Sequence, residues 1–141
     1  MKIDFITDEN SWLNDYMPTL IDALDSTFHQ ISWCHKVDEL TKGDLLFILG
    51  CSQLLTEENL VLHSHNLVVH GSALPHGKGW SPISWQILEG KSHVPIVLFE
   101  CERSVDSGVI YLESFMVFEG HELVHELRNI QANMTIKLCL N

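Results

Sequence analysis

The run Leu45 to Gly50, LLFILG, restricts the fold of this chain more than any other stretch. It is short and apolar on both faces, the pattern of a central strand in a parallel sheet rather than of a strand with one wet side. Parallel neighbours need crossover connections, usually helical, so the spacing around this run predicts an α/β protein. Residues 1–7, with Ile3, Phe5 and Ile6, give a first strand, Ile31 to His35 a second, and Asp44 to Gly50 a third. Between the first two, Trp12, Leu13, Tyr16, Met17, Leu20, Ile21 and Leu24 recur at helical spacing behind an N-cap candidate, Ser11. They predict a helix over 11–27, with Pro18 as a kink or boundary. Thr56, followed by Glu57 and Glu58, caps a short helix over 56–62.

A chain of 141 residues suits one domain that buries roughly two thirds of its unfolded surface without disulfides or structural metal. No segment approaches the ~18 apolar residues of a membrane span, and MKIDFITDEN places acids where a leader would be apolar. A cytoplasmic protein with no membrane association is expected. Cys34, Cys51, Cys101 and Cys139 are widely spaced, form no C-x-x-C pair and read as small buried hydrophobes in a reducing compartment. Nineteen acids against eight Lys and Arg give a net charge of −11. That balance argues against a nucleic-acid partner, which needs a basic footprint.

The stretch around which chemistry gathers is Asn66 to Pro82, NLVVHGSALPHGKGWSP, a buried strand opening into a Gly- and Pro-rich loop. Alternation puts Asn66, Val68 and His70 on one face, with His70 at the carboxyl end, where ligands of open α/β sheets bind. Gly71, Gly77 and Gly79 free the ends of the loop and Pro75 stiffens its middle. A phosphate loop is excluded, since five residues separate Gly71 from Gly77 and Gly79 follows Lys78, where that motif needs four and a Ser or Thr. His70 alone reads more readily as a hydrogen-bonded structural histidine at a strand end. A second segment, ECERSVDSGVIY at 100–111, offers a carboxylate, Asp106, in a turn-like sequence after the apolar run Val94 to Phe99. Val94 to Phe99 and Val109 to Phe118 are expected to form an antiparallel hairpin, and Ser81-Pro82 to start a helix with Pro at its first position.

Taken together, H-G-S-A-L-P at 70–75, G-K-G-W-S-P at 77–82, the helix after it and V-D-S-G at 105–108 resemble the 10-formyltetrahydrofolate-dependent formyltransferase family, including methionyl-tRNA formyltransferase-like and sugar N-formyltransferase catalytic domains. That family reads Asn-x-His, a Ser-Leu-Leu-Pro-like loop, a Gly-rich turn, a helix and Asp-[ST]-Gly. The order and spacing match over most of residues 44–130. The resemblance implies a Rossmann-like three-layer formyltransferase fold, a mostly parallel central sheet with a C-terminal β-hairpin and helix, as a single domain over 1–141. It implies His70 and Asp106 as catalytic residues. It implies 10-formyltetrahydrofolate as co-substrate, held by Gly50, Cys51, Ser52, Ser72, Leu74, Pro75, Val105 and Ser107, with the backbone of the 50–52 loop pairing with the pteridine. Lys78 and Trp80 are the expected acceptor contacts. The acid balance points to a small amine acceptor, foremost a nucleotide-linked amino sugar, and the family leaves room for a homodimer.

Two departures bear on activity. The family's Asn is Val68 here, and Asn66 lies about 6.6 Å back along the strand, too far for a simple exchange. Val109 stands where many relatives carry a second acid. A formyl-folate hydrolase, with water as acceptor, and a catalytically silent folate- or ligand-binding module of the same fold share every residue named.

His121-Glu122-Leu123-Val124-His125 is a literal H-E-x-x-H, which on a helix presents two zinc ligands and a base. The third ligand is missing: Arg128 and Gln131 occupy the extended positions, and Glu126 is the only acid beyond His125. Leu123, Leu127, Ile130, Met134 and Leu138 form the apolar stripe of this helix, which puts both histidines on the solvent side. No metal is expected.

Overall fold

The computed structural model describes every residue except Asp25, Ser26, Pro75, Trp80 and Val105. Each apolar run becomes a strand: β1 (Lys2–Ile6), β2 (Gln30–Cys34), β3 (Gly43–Ile48), β4 (His63–His70), β5 (His93–Glu100) and β6 (Ile110–Val117). They form one sheet in the order β2-β1-β3-β4-β5-β6. β2, β1, β3 and β4 are parallel, and β5 and β6 run antiparallel as the expected hairpin. LLFILG sits inside, with Phe47 paired to Phe5 and to Leu67 on either side.

One face carries the larger core. Phe5 and Phe47 stack at 5.2 Å, and Leu13, Met17, Leu20, Ile83, Ala132 and Leu138 close over Ile3, Val94, Ile96 and Met116. Burying one such phenyl ring contributes about 2–3 kcal/mol. The helices on this face are α1 (Met17–Ala23), α3 (Pro82–Leu88) and α4 (Val124–Leu140). The other face is thinner: Ile6, Leu46 and Ile48 are covered by Leu40, Val37, Leu55 and Leu62, and by Cys51 and Cys101. α2 (Glu57–Leu60) lies in the chain between Leu55 and Leu62 of that covering, with Thr56 in a capping box with Asn59. The result is the expected Rossmann-like three-layer arrangement with its hairpin and final helix.

Three elements differ from expectation. The helix expected over 11–27 is a 3-10 turn at Trp12–Asp15 and then α1. Pro18 falls in the first turn of α1, where its missing N–H has no helical partner to lose, so the helix begins there rather than running through. α4 starts at Val124, after the supposed first stripe residue. Leu123 is its N-cap and 61% exposed, while Leu127, Ile130, Met134 and Leu138 do pack on the core. His121 therefore precedes the helix, and both it and His125 are exposed, so H-E-x-x-H has no helical zinc geometry here. The helix expected over 56–62 is the shorter α2.

Candidate active site

β4 delivers His70 to the carboxyl edge as its last residue. The ring is buried, edge-on to Phe99 of β5 with centroids 6.4 Å apart. Asp106 comes from the connection between β5 and β6, and its Oδ2 stands 3.5 Å from His70 Nε2. The turn that brings it there is tight. Asp106 has φ +52°, left-handed for a non-glycine residue, and a Cβ on Gly108 would lie 1.6 Å from the Glu100 carbonyl oxygen. Strain of this kind persists where the surrounding structure over-determines it, commonly at functional sites.

The backbone of residues 77–79 runs alongside both side chains. His70 Nε2 donates to the Gly77 carbonyl at 2.9 Å, and the Gly79 amide donates to Asp106 Oδ2 at 2.8 Å. Nε2 faces two acceptors, so it carries a proton, and the carbonyl holds that proton at hydrogen-bond distance while the carboxylate stands beyond the usual range. These backbone groups were missed in the sequence. The available signal was the pair of glycines flanking Lys78, whose φ values of +67° and +101° favour glycine.

The remaining expected residues divide. Ser72 is 2% exposed, and its hydroxyl is buried with no hydrogen-bond partner among the described residues. Such an orphaned group suits a polar atom of a bound ligand. Leu74 is half-buried. Ser107 is exposed, and its hydroxyl donates to the Ser104 carbonyl at 2.7 Å. Ser72 and Lys78 line a cleft of about 660 Å³, along with His76, Trp85, Glu89, Lys91 and His93. Pro75, Val105 and Trp80 lie outside the described residues.

Gly50, Cys51 and Ser52 sit at the end of β3, beside the end of β4 in register. The Gly50 carbonyl accepts the Asp8 amide at 3.1 Å, and the Ser52 amide donates to Asp8 Oδ2 at 2.8 Å. Those two groups are therefore engaged inside the protein rather than facing a pteridine. Burial raises the Asp8 carboxyl, but the hydrogen bonds from Ser52 and Gln53 outweigh it and hold it below the usual carboxylate value. Burial pushes the Cys51 thiol up to about 11 and that of Cys139 to about 12, so both stay protonated and unreactive.

Val68 packs against the smaller core cluster. Asn66 does not replace the family's amide, because its Nδ2 donates to the Leu60 carbonyl at 2.8 Å. Val109 is 63% exposed. Among the described residues no group of three His, Cys, Asp or Glu side chains converges to hold a metal ion, and no helix is long and apolar enough to cross a membrane.

Fold and site together define a Rossmann-like α/β domain with an imidazole and a carboxylate converging at the carboxyl edge of its sheet. That fold is the one formyltransferases have. A variant of HypX from Aquifex aeolicus superposes with TM-score 0.81 at 19% identity, over 99% of this chain and 26% of that one. Methionyl-tRNA formyltransferase from Clostridium thermocellum gives 0.77 at 20% identity, over 99% of this chain and 64% of that one. PseJ from Anoxybacillus kamchatkensis, in complex with UDP-4,6-dideoxy-4-formamido-L-AltNAc and tetrahydrofolate, gives 0.72 at 17% identity, over 97% of this chain and 71% of that one. In sequence, methionyl-tRNA formyltransferase of Prochlorococcus marinus is 27% identical over 100 residues, 67% of this chain and 30% of that protein. That of Nitrosomonas eutropha is 26% identical over 97 residues, 68% of this chain and 31% of that protein. The matches thus span under a third of these curated relatives' length. No family model matches the chain. The similarity to the formyltransferase family that the motifs carry holds in both sequence and fold.

Proposed function

We propose that this chain catalyses transfer of a formyl group from 10-formyltetrahydrofolate to a small primary amine, with His70 and Asp106 as the reacting pair. The observation that carries this reading is their convergence, 3.5 Å apart, from segments 36 residues distant in sequence (70 to 106). Tetrahydrofolate in the PseJ complex supports the choice of donor.

The donor supplies an amide-like formyl carbon, a weak electrophile. The amine nitrogen attacks it, a C–N bond forms, and the carbonyl electron pair moves onto oxygen. An imidazole beside that oxygen stabilises it by donating a hydrogen bond. Collapse breaks the bond to the folate nitrogen, which takes the proton the amine has lost. Asp106 is placed to accept that proton and, with His70, to relay it. The buried Ser72 hydroxyl supplies a further polar contact for the donor, while Leu74 offers it an apolar one. Of the 50–52 loop, the Cys51 backbone is offered to it.

The acceptor in this reading is an amino sugar carried on a nucleotide; support comes from the UDP-linked 4-formamido sugar in the PseJ complex. The curated relatives are named for methionyl-tRNA, but a net charge of −11 favours a small acceptor over a polyanion. A second reading, a silent ligand-binding module, draws support from Val68 where the family has an amide. The test is release of tetrahydrofolate from 10-formyltetrahydrofolate, with and without a UDP-linked amino sugar. Release only with acceptor supports transfer, release without it indicates hydrolysis, and donor binding without release supports the silent module.

A further inference from the structure

The chain's own backbone engages the atoms through which His70 and Asp106 face each other. His70 Nε2 has one proton, and the Gly77 carbonyl takes it at 2.9 Å, leaving Asp106 at 3.5 Å. Asp106 Oδ2 in turn receives the Gly79 amide at 2.8 Å. While residues 77–79 lie there, a direct His70–Asp106 hydrogen bond does not form, and the carboxylate oxygen facing the imidazole is already engaged. Both anchoring residues are glycines with positive φ. A side chain on Gly79 would meet nothing within 4 Å, so glycine is required there by backbone conformation and not by space.

Lys78 stands between those two anchors, and its side chain lines the cleft of about 660 Å³. That cleft gathers two of the chain's eight Lys and Arg, Lys78 and Lys91, with His76 and His93, in a protein of net charge −11. Lys91 pairs with Glu89 at 3.2 Å. Lys78 has no ion-pair partner among the described residues. Trp85, 64% exposed, adds an aromatic surface to the same cleft.

We propose that Gly77-Lys78-Gly79 is a latch over the His70–Asp106 pair, and that a phosphate-bearing group entering the cleft releases it through Lys78. The anion draws the Lys78 ammonium toward the cleft, the flanking glycines turn, and the Gly77 carbonyl and Gly79 amide leave. Nε2–H then passes from carbonyl to carboxylate, and the pair becomes a working unit only with an anionic acceptor present. Water is thereby denied the activated site until the acceptor arrives. This rests on the reading of His70 and Asp106 as the reacting pair.

The test uses the whole chain, inorganic pyrophosphate as the probe, and amide hydrogen exchange at residue 79 as the readout. In the unliganded protein this amide is protected by Asp106. Saturating pyrophosphate is expected to speed its exchange about tenfold. Lys78→Ala, a change at an exposed side chain, should keep the amide protected at any pyrophosphate concentration. Gly79→Ala, which fits sterically but disfavours the closed φ, should exchange about tenfold faster with no anion at all. The latch is overturned if pyrophosphate leaves exchange at residue 79 unchanged, or if Lys78→Ala responds as the parent does. No donor or turnover enters this measurement, so a latch that fails leaves formyl transfer standing, and an absent transferase activity leaves the latch result intact.

Discussion

The carboxyl edge of the sheet has two corners built from similar residues, and they are finished differently. At the ends of β1 and β3, where the strand order reverses and ligands of open α/β sheets commonly bind, the polar groups bond to one another. Thr7, fully buried, donates to Asn14 Oδ1 at 2.6 Å and accepts Trp33 Nε1 at 2.9 Å. Asn14 Nδ2 donates to the Asp8 and Glu9 carbonyls, and Asp8 holds Ser52 and Gln53. At the end of β4, where the connection between β5 and β6 brings Asp106, the opposite holds. Asp106 and Ser81 have positive φ, and among the described residues the Ser72 hydroxyl is orphaned and the polar partners of His70 are a glycine carbonyl and a more distant carboxylate. A corner whose hydrogen bonds close on themselves holds the fold together, and one that leaves groups unmet is where a ligand completes the set.

Substitutions should therefore separate rate from stability. His70→Asn is expected to lower the rate of tetrahydrofolate release by about 10²–10⁴-fold while leaving the thermal midpoint within a degree or two, read by calorimetry. A parental rate in that variant would remove His70 from the chemistry. Gly108→Ala forces a Cβ into the Glu100 carbonyl and should cost about 3 kcal/mol in urea unfolding, together with the placement of Asp106. Thr7→Val, at the other corner, strands Asn14 Oδ1 and Trp33 Nε1 and should cost about 2 kcal/mol, with tetrahydrofolate release unchanged. A rate loss there would mean that the Thr7 hydrogen-bond network also bears on the ligand.

The smallest effect belongs to Asp8. Its carboxyl is held below the ordinary value, so its contribution is complete above the unfolded pKa and disappears as pH falls through the lower folded one. Asp8→Asn should cost about 0.5–1 kcal/mol at pH 7, the low end because the carboxylate stays near water. The gap between parent and variant should begin to narrow below pH ~4 and close only below the lowered folded value, as urea titrations at several pH values would show.

Much of this was readable in the sequence because it depends on local pattern. LLFILG, the hairpin, the Thr56 cap and the placement of Pro82 all follow from periodicity or from a residue's own stereochemistry. His70 stood out at a strand end, and its pairing with Asp106 came from the resemblance of H-G-S-A-L-P and V-D-S-G to the formyltransferase motifs. What the sequence hid were hydrogen bonds between segments far apart. Ser52 to Asp8 spans 44 residues, and Gly79 to Asp106 spans 27. Both are made by backbone amides, which carry no residue signature. Leu123 misled because an apolar residue at the right spacing looks the same whether it opens a helix or only caps it.

If the imidazole at 70 and the carboxylate at 106 act as one unit, removing either should disable it as fully as removing both. Single-turnover formyl transfer by His70→Asn, Asp106→Asn and the double variant decides this. The double variant is expected to be no slower than the slower single one. Losses that multiply instead would show two independent groups and contradict a shared catalytic pair.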